Sequence, residues 1–266
     1  MKIVLAYKLA RVLAHLLVGM ACCALLFPWL GLAGRNRCIQ RWSRQLLHLC
    51  AVELAQDASA ATVLPHALVV ANHVSWLDIF VINALYPCRF VAKKEIRAWP
   101  MMGWLAEKAG TIFIARGQRR ALRELFKGLV GSLHGGERIA FFPEGTTAEQ
   151  GVLLPFHSNL FEAAIDAEVP VQALALRYLD SAGRPHPAVV YVGDMRFADS
   201  IVAILTGRPI SAQLICLAPI ESVGAHRREL AAAAHAAIAL GLGLGPKPAP
   251  EQEQEQEQEQ EQEQKE

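Results

Sequence analysis

The sequence has almost no net charge. Its 26 Lys and Arg nearly balance 25 Asp and Glu, leaving +1 over 266 residues. Taken at face value, that excludes a basic, anion-seeking protein. The balance dissolves once the charges are located. Residues 251–266 hold eight Glu and one Lys, so the first 250 residues carry 25 basic and 17 acidic side chains, or +8. Motifs for several chemistries are also missing. Six cysteines, at 22, 23, 38, 50, 88 and 216, match no zinc spacing, and free thiols of a reducing compartment are the expectation. No His-Glu-x-x-His indicates a metal, and no Gly-x-Ser-x-Gly elbow supplies a serine nucleophile. With 53% hydrophobic and 19% charged residues, the chain is neither disordered, nor fibrous, nor a small disulfide-stapled domain.

The longest uncharged run is Val12 to Ala33, in which His15 is the one conspicuously polar side chain. As a helix at about 1.5 Å per residue it reaches ~33 Å, enough to cross a bilayer core. It is too long for a signal peptide and lacks the small-residue cleavage site. Pro28, Gly31 and Gly34 interrupt its second half, so a full span and a helix pair dipping into one leaflet both fit. Basic residues flank both ends. Because Arg41 and Arg44 lead into the body, the expected placement is at the inner membrane with the body on the cytoplasmic face.

Beyond this segment, short apolar runs alternate with helical patterns. Strands are expected over 67–71, 89–92, 111–115, 138–142, 171–176, 189–192 and 213–218. Helices are expected over 119–133, 159–167 and 227–240, the first with Leu122, Leu125, Phe126, Leu129, Val130 and Leu133 on one stripe. This reads as a single α/β domain with a central mixed sheet flanked by helices, spanning 60–240. A membrane-associated helical segment, 1–50, precedes it. A Gly/Pro-rich linker and a Glu/Gln tail, 241–266, follow; the tail cannot bury apolar surface and is expected to be disordered.

Asn72-His73-Val74-Ser75-Trp76-Leu77-Asp78 directly follows the first body strand. With a helix starting at Ser75, Ser-x-x-Asp is a capping box, and Asp78 faces back toward the loop. The carboxylate can then hold one imidazole nitrogen of His73 protonated and leave the other free as a general base. The plain alternative is a helix cap and a satisfied loop histidine. Arg116 lies where Thr111–Ala115 emerges, and Glu144, Gly145 and Thr146 where Arg138–Phe142 does. Strand ends on one edge of an α/β sheet converge, and an arginine fork with exposed backbone N–H groups suits a phosphate. Lys93, Lys94 and Arg97 beside Trp99, Met101, Met102 and Trp104 read as an interfacial surface. His157 is expected to be structural.

Asn-His-x-Ser-x-x-Asp, Ile-Phe-Ile-x-Arg, Phe-Pro-Glu-Gly-Thr and Val169-Pro170-Val171, in that order over about 67–180, resemble the HxxxxD glycerolipid acyltransferases of the lysophosphatidic acid acyltransferase type. The resemblance implies that His73 deprotonates a lysolipid hydroxyl, which attacks a thioester carried by coenzyme A or acyl carrier protein. Asp78 would orient His73. Arg116, Glu144, Gly145 and Thr146 would bind the acceptor's phosphate and glycerol. The implied partners are a lysolipid acceptor, acyl-CoA or acyl carrier protein as co-substrate, and membrane lipid; no cofactor, metal or nucleic acid is implied.

Two positions depart from the family's frequent pattern. Ala115 stands where Asp often precedes the arginine, and Thr147 where Arg often follows Glu-Gly-Thr. Both changes alter charge beside the implied head-group site, so another lysolipid such as a lyso-ornithine lipid competes as acceptor. A catalytically silent lipid-binding module and a thioesterase-like hydrolase are readings from other classes.

Overall fold

The computed structural model describes residues 2–56, 63–114 and 119–245. Two helices come first: α1 (Lys2–Leu25) and, after a 3-10 turn at Phe27–Trp29, α2 (Leu32–Leu49). Pro28 in that turn and Gly31 before α2 break the apolar run, so it forms a hairpin. His15 Nε2 lies 3.0 Å from the Trp42 carbonyl, and the Trp42 indole N–H donates to the His15 carbonyl at 3.0 Å. Gly19 permits this approach, since a Cβ there would sit 2.5 Å from Trp42 Nε1. Lys8 Nζ donates to the Leu205 carbonyl at 2.6 Å and ties the hairpin to the body. Among the described residues, Lys2–Trp29 is the one helical stretch long and apolar enough to cross a membrane. Ile3, Tyr7, Val18, Leu25 and Trp29 along it are exposed.

The body is a seven-stranded sheet in the order β1-β7-β6-β2-β5-β3-β4. Its strands are β1 (Val52–Gln56), β2 (Leu68–Ala71), β3 (Arg89–Lys93), β4 (Ile112–Ile114), β5 (Ile139–Phe141), β6 (Val171–Leu179) and β7 (Ile210–Cys216). Every neighbouring pair is parallel except β6 and β7, which makes the sheet mixed, as expected from the sequence. The helices are α3 (Asp78–Leu85), α4 (Met102–Lys108), α5 (Arg119–His134), α6 (Glu162–Asp166), α7 (Phe197–Thr206) and α8 (Arg227–Gly241).

Period-2 alternation sorts the strand residues into two cores. Val69, Ala71, Leu174, Leu176 and Tyr178 face the layer built from α2, α3 and α7. Leu68, Val70, Ala173 and Ala175 face α5, α6 and α8. On α8, Leu230, Ala231, Ala234 and Ile238 recur at helical spacing and are buried. The small alanines let the helix lie close to β6.

Two expectations need correction, and one strand was not expected at all. Val189–Val192 is not a strand: Pro187 opens a 3-10 turn, and the Tyr191 N–H goes to the Val74 carbonyl at 3.2 Å, in a loop rather than a ladder. The edge strand β1 was not anticipated; it is short, carries Glu53, and takes its order from parallel pairing with β7. Finally, α3 starts at Asp78 and not at Ser75.

Candidate active site

β2, β3, β4, β5 and β6 run parallel, so their C-terminal ends share one edge of the sheet, where ligands of open α/β sheets bind. His73 enters from β2, Glu144 to Thr146 from β5, and Lys93 from β3. Arg116 falls within 115–118, outside the described residues.

Asn72 sets the first of these positions. Its Nδ2 donates to the Leu176 carbonyl at 2.9 Å, and its Oδ1 accepts the Leu176 N–H at 2.8 Å. The side-chain amide thus continues the β2–β6 ladder one step past Ala71, then releases the chain into the loop that carries His73.

His73 Nδ1 is 2.7 Å from Asp78 Oδ2. The same oxygen accepts the N–H groups of Val74 at 2.8 Å and Ser75 at 3.0 Å. An oxygen already accepting two backbone donors makes Nδ1 the donor, which fixes the tautomer and leaves Nε2 as the basic nitrogen. Among the described residues Nε2 makes no hydrogen bond. The reciprocal capping box expected from Ser75 does not form: Asp78 Oδ2 accepts the Ser75 N–H, but Ser75 Oγ accepts only the Leu77 N–H, at 3.4 Å, and Leu77 caps α3 without a side-chain bond.

Tyr178 Oη donates to the other carboxylate oxygen, Asp78 Oδ1, at 2.7 Å, and both residues are completely buried. Burial and the neighbouring Asp78 charge push the Tyr178 hydroxyl well above its ordinary pKa, so it stays a donor. The imidazole stacks on Phe142, with centroids 3.8 Å apart and planes within 5°.

Glu144 behaves differently from the expectation. It is buried, and both its oxygens are occupied: Oε1 by the His73 N–H at 2.7 Å and Oε2 by the Leu154 N–H at 2.9 Å. Burial raises its pKa, partly offset by those two N–H groups and by His73. The carboxylate is a clasp between two loops and does not line the cavity beside His73. Gly145 and Thr146 do line it. Gly145 needs to be glycine, since its φ is +68° and a Cβ would meet the His157 ring at 3.2 Å. Thr147 Oγ1 donates to the Tyr191 carbonyl, so the position where an arginine is frequent holds a strut for the next loop.

The cavity is about 830 Å³ and runs from His73 between the sheet edge and the helical hairpin. Its wall is mostly apolar and aromatic, including Trp42, Phe80, Trp99, Leu105, Phe142 and Phe197. Of the interfacial set anticipated from sequence, Lys93, Trp99 and Met102 belong to this wall, whereas Arg97 is bound by Glu107 at 2.8 Å.

The sequence pointed to neither the role of Tyr178 nor that of Asn72, although Asn72 stands in the first motif. A signal for the tyrosine did exist. Tyr178 follows Leu174 and Leu176 on the buried face of β6, and a buried tyrosine hydroxyl needs a partner.

Residues 55–177 match the family model named Acyltransferase. They run from β1 through β6 and contain His73, Asp78 and Glu144. This stretch is thus similar to acyltransferases, and the chain's resemblance to the glycerolipid acyltransferases of the lysophosphatidic acid acyltransferase type holds.

Among relatives, a 1-acyl-sn-glycerol-3-phosphate acyltransferase of Neisseria meningitidis is 42% identical over 150 residues, 56% of this chain and 59% of that protein. A lyso-ornithine lipid O-acyltransferase of Pseudomonas aeruginosa is 43% identical over 165 residues, 62% of this chain and 63% of that protein. The chain thus spans about three fifths of the length of these relatives. The crystal structure of the 1-acyl-sn-glycerophosphate acyltransferase PlsC of Thermotoga maritima shares the fold. Its TM-score is 0.60, over 89% of this chain and 96% of that one, at 19% identity.

Proposed function

We propose that this chain moves a fatty acyl group from a thioester, on coenzyme A or acyl carrier protein, to the free hydroxyl of a lysolipid. The acceptor we favour is 1-acyl-glycerol-3-phosphate, giving phosphatidic acid. The observation that carries the reading is the His73 Nδ1–Asp78 Oδ2 bond of 2.7 Å at the wall of an apolar cavity of about 830 Å³. A base with its tautomer fixed, beside space for a hydrocarbon chain, is what acyl transfer to an alcohol requires.

In the step as we write it, His73 Nε2 takes the proton of the acceptor hydroxyl as that oxygen attacks the thioester carbonyl. The tetrahedral intermediate collapses by breaking the C–S bond, and the leaving thiolate receives the proton. Asp78 stabilises the imidazolium formed in between. The two substrates and His73 account for every bond and proton, so the step calls on no cofactor. Glu144 holds the His73 loop, Gly145 and Thr146 offer backbone and hydroxyl groups to the acceptor, and Arg116 is assigned to its phosphate.

A second acceptor has an observation in its favour. Thr147 Oγ1 is tied to Tyr191, so this position supplies no cation for a phosphate. Four of the similar relatives are named lyso-ornithine lipid O-acyltransferases. The exposed apolar side of α1 fits a bilayer, and we assign the protein to the inner membrane with its body on the cytoplasmic face.

The test is thiol release and lipid product with purified protein in detergent, supplied with acyl-CoA or acyl-acyl carrier protein and a panel of lysolipids. Phosphatidic acid formed fastest from lysophosphatidic acid supports the favoured reading. A faster lyso-ornithine lipid moves the acceptor, thiol release without acceptor makes the protein a hydrolase, and no turnover leaves a lipid-binding module.

A further inference from the structure

We infer that Tyr178 is a positioning residue for the His73–Asp78 pair, holding the carboxylate in the one orientation that keeps His73 a base. The inference rests on the acyl-transfer reading for its kinetic consequence, but not for its structural one.

Asp78 takes four hydrogen bonds. Three fall on Oδ2, from His73 Nδ1 and the N–H groups of Val74 and Ser75, all within five residues of Asp78 in sequence. Tyr178 supplies the fourth, on Oδ1, from a strand 100 residues away. Among the described residues no other group donates to Oδ1. Without the hydroxyl, one carboxylate oxygen is left buried with no donor. A charged acceptor without its donor is unfavourable, and the cheapest relief is rotation of the carboxylate toward other N–H groups. That rotation weakens the bond to Nδ1.

The surroundings are built to place this hydroxyl. β2 pairs with β6 as far as Ala71↔Leu174, and Asn72 extends the match to Leu176. Tyr178 is the next residue on that face, brought there because β6 continues as an antiparallel partner of β7, with Tyr178 opposite Ala212. Its backbone is also fixed. Its N–H donates to Gln150 Oε1 at 2.7 Å, its carbonyl accepts the His186 N–H at 2.9 Å, and Gln150 Nε2 donates to the His186 carbonyl at 3.2 Å. Gln150 lies in the same β5–α6 connection as Glu144, which holds the His73 N–H. One connection thus braces the imidazole through its backbone and the carboxylate through Tyr178.

The experiment uses the purified full chain in detergent and the Tyr178→Phe variant, which removes one oxygen from a buried ring. Two readouts are needed. The first is the NMR signature of the His73 ring: a slowly exchanging Nδ1 proton and nitrogen shifts of a single tautomer in the wild-type protein. In the variant that proton should exchange faster, with the tautomers mixed. The second is kinetic: kcat falls about 10- to 100-fold, the range expected for a lost hydrogen bond to a charged group, while the acceptor KM is unchanged.

A folded variant with the wild-type His73 signature and unchanged kcat overturns the inference. A variant that does not fold leaves the decision to the wild-type protein. There, a Tyr178 hydroxyl proton protected from exchange and close to Asp78 supports the inference, and one exchanging freely with water overturns it. If wild-type protein transfers no acyl group at all, the proposed function fails, while the His73 signature still decides the role of Tyr178.

Discussion

Glu144 holds His73 by its backbone: its Oε1 accepts the His73 N–H at 2.7 Å, while its Oε2 takes the Leu154 N–H. The carboxylate of the Phe-Pro-Glu-Gly-Thr turn is therefore a clasp under the active-site loop. Glu144→Ala leaves two N–H donors unpaired in a buried place, each costing about 1–3 kcal/mol. The expected result is a large drop in denaturation midpoint together with lower kcat. Were Glu144 a substrate ligand instead, the variant would melt near wild type and raise the acceptor KM.

The hairpin forms one side of the cavity, and Gly19 sets how closely its helices approach. Gly19→Val puts side-chain atoms where Trp42 Nε1 now lies, within 2.5 Å of the new Cβ. Overpacking of this kind costs about 1–3 kcal/mol. Because Gly19 and Trp42 both line the cavity, long-chain donors should lose more activity than short-chain ones. Equal losses across a donor chain-length series would place the acyl chain elsewhere.

Tyr178 gives the fold an alkaline dependence. Its hydroxyl is raised well above the ordinary value of 10.0 by burial and by Asp78. The folded state therefore holds this proton more tightly than the unfolded chain. The resulting stabilisation is fully present below about pH 10 and is lost as pH rises through the raised value. Chemical denaturation above pH 10 should show wild type losing stability more steeply than Tyr178→Phe, with the two slopes parallel near neutrality. Parallel slopes throughout would mean Tyr178 ionises as easily in the fold as out of it.

Part of this structure was legible in the sequence. The spacing from His73 to Asp78 announced a carboxylate turned back on the loop, because that geometry is local. The strands β2 through β6 were readable as apolar runs, and α5 and α8 as stripes. The role of Glu144 was not legible, since an acidic residue in a turn reads the same whether it faces a ligand or two backbone donors. β1 and the antiparallel placement of β7 depend on strand order, which no window of sequence contains. Tyr178 meets Asp78 only after that order is set. Arg116 lies outside the described residues, and its assignment remains a reading of the sequence.

The most direct test of the central claim is acceptor-dependent thiol release by His73→Ala beside wild type, with both proteins' melting curves recorded. The side chain of His73 lies at the cavity wall and touches the fold through its stack on Phe142 and its bond to Asp78, an oxygen that keeps the Val74 and Ser75 N–H groups, so the variant should stay folded and melt only moderately below wild type. Its transfer rate should fall by about 10²–10⁴, the usual contribution of a positioned base. A His73→Ala protein that stays folded and still transfers acyl groups at the wild-type rate would contradict the account.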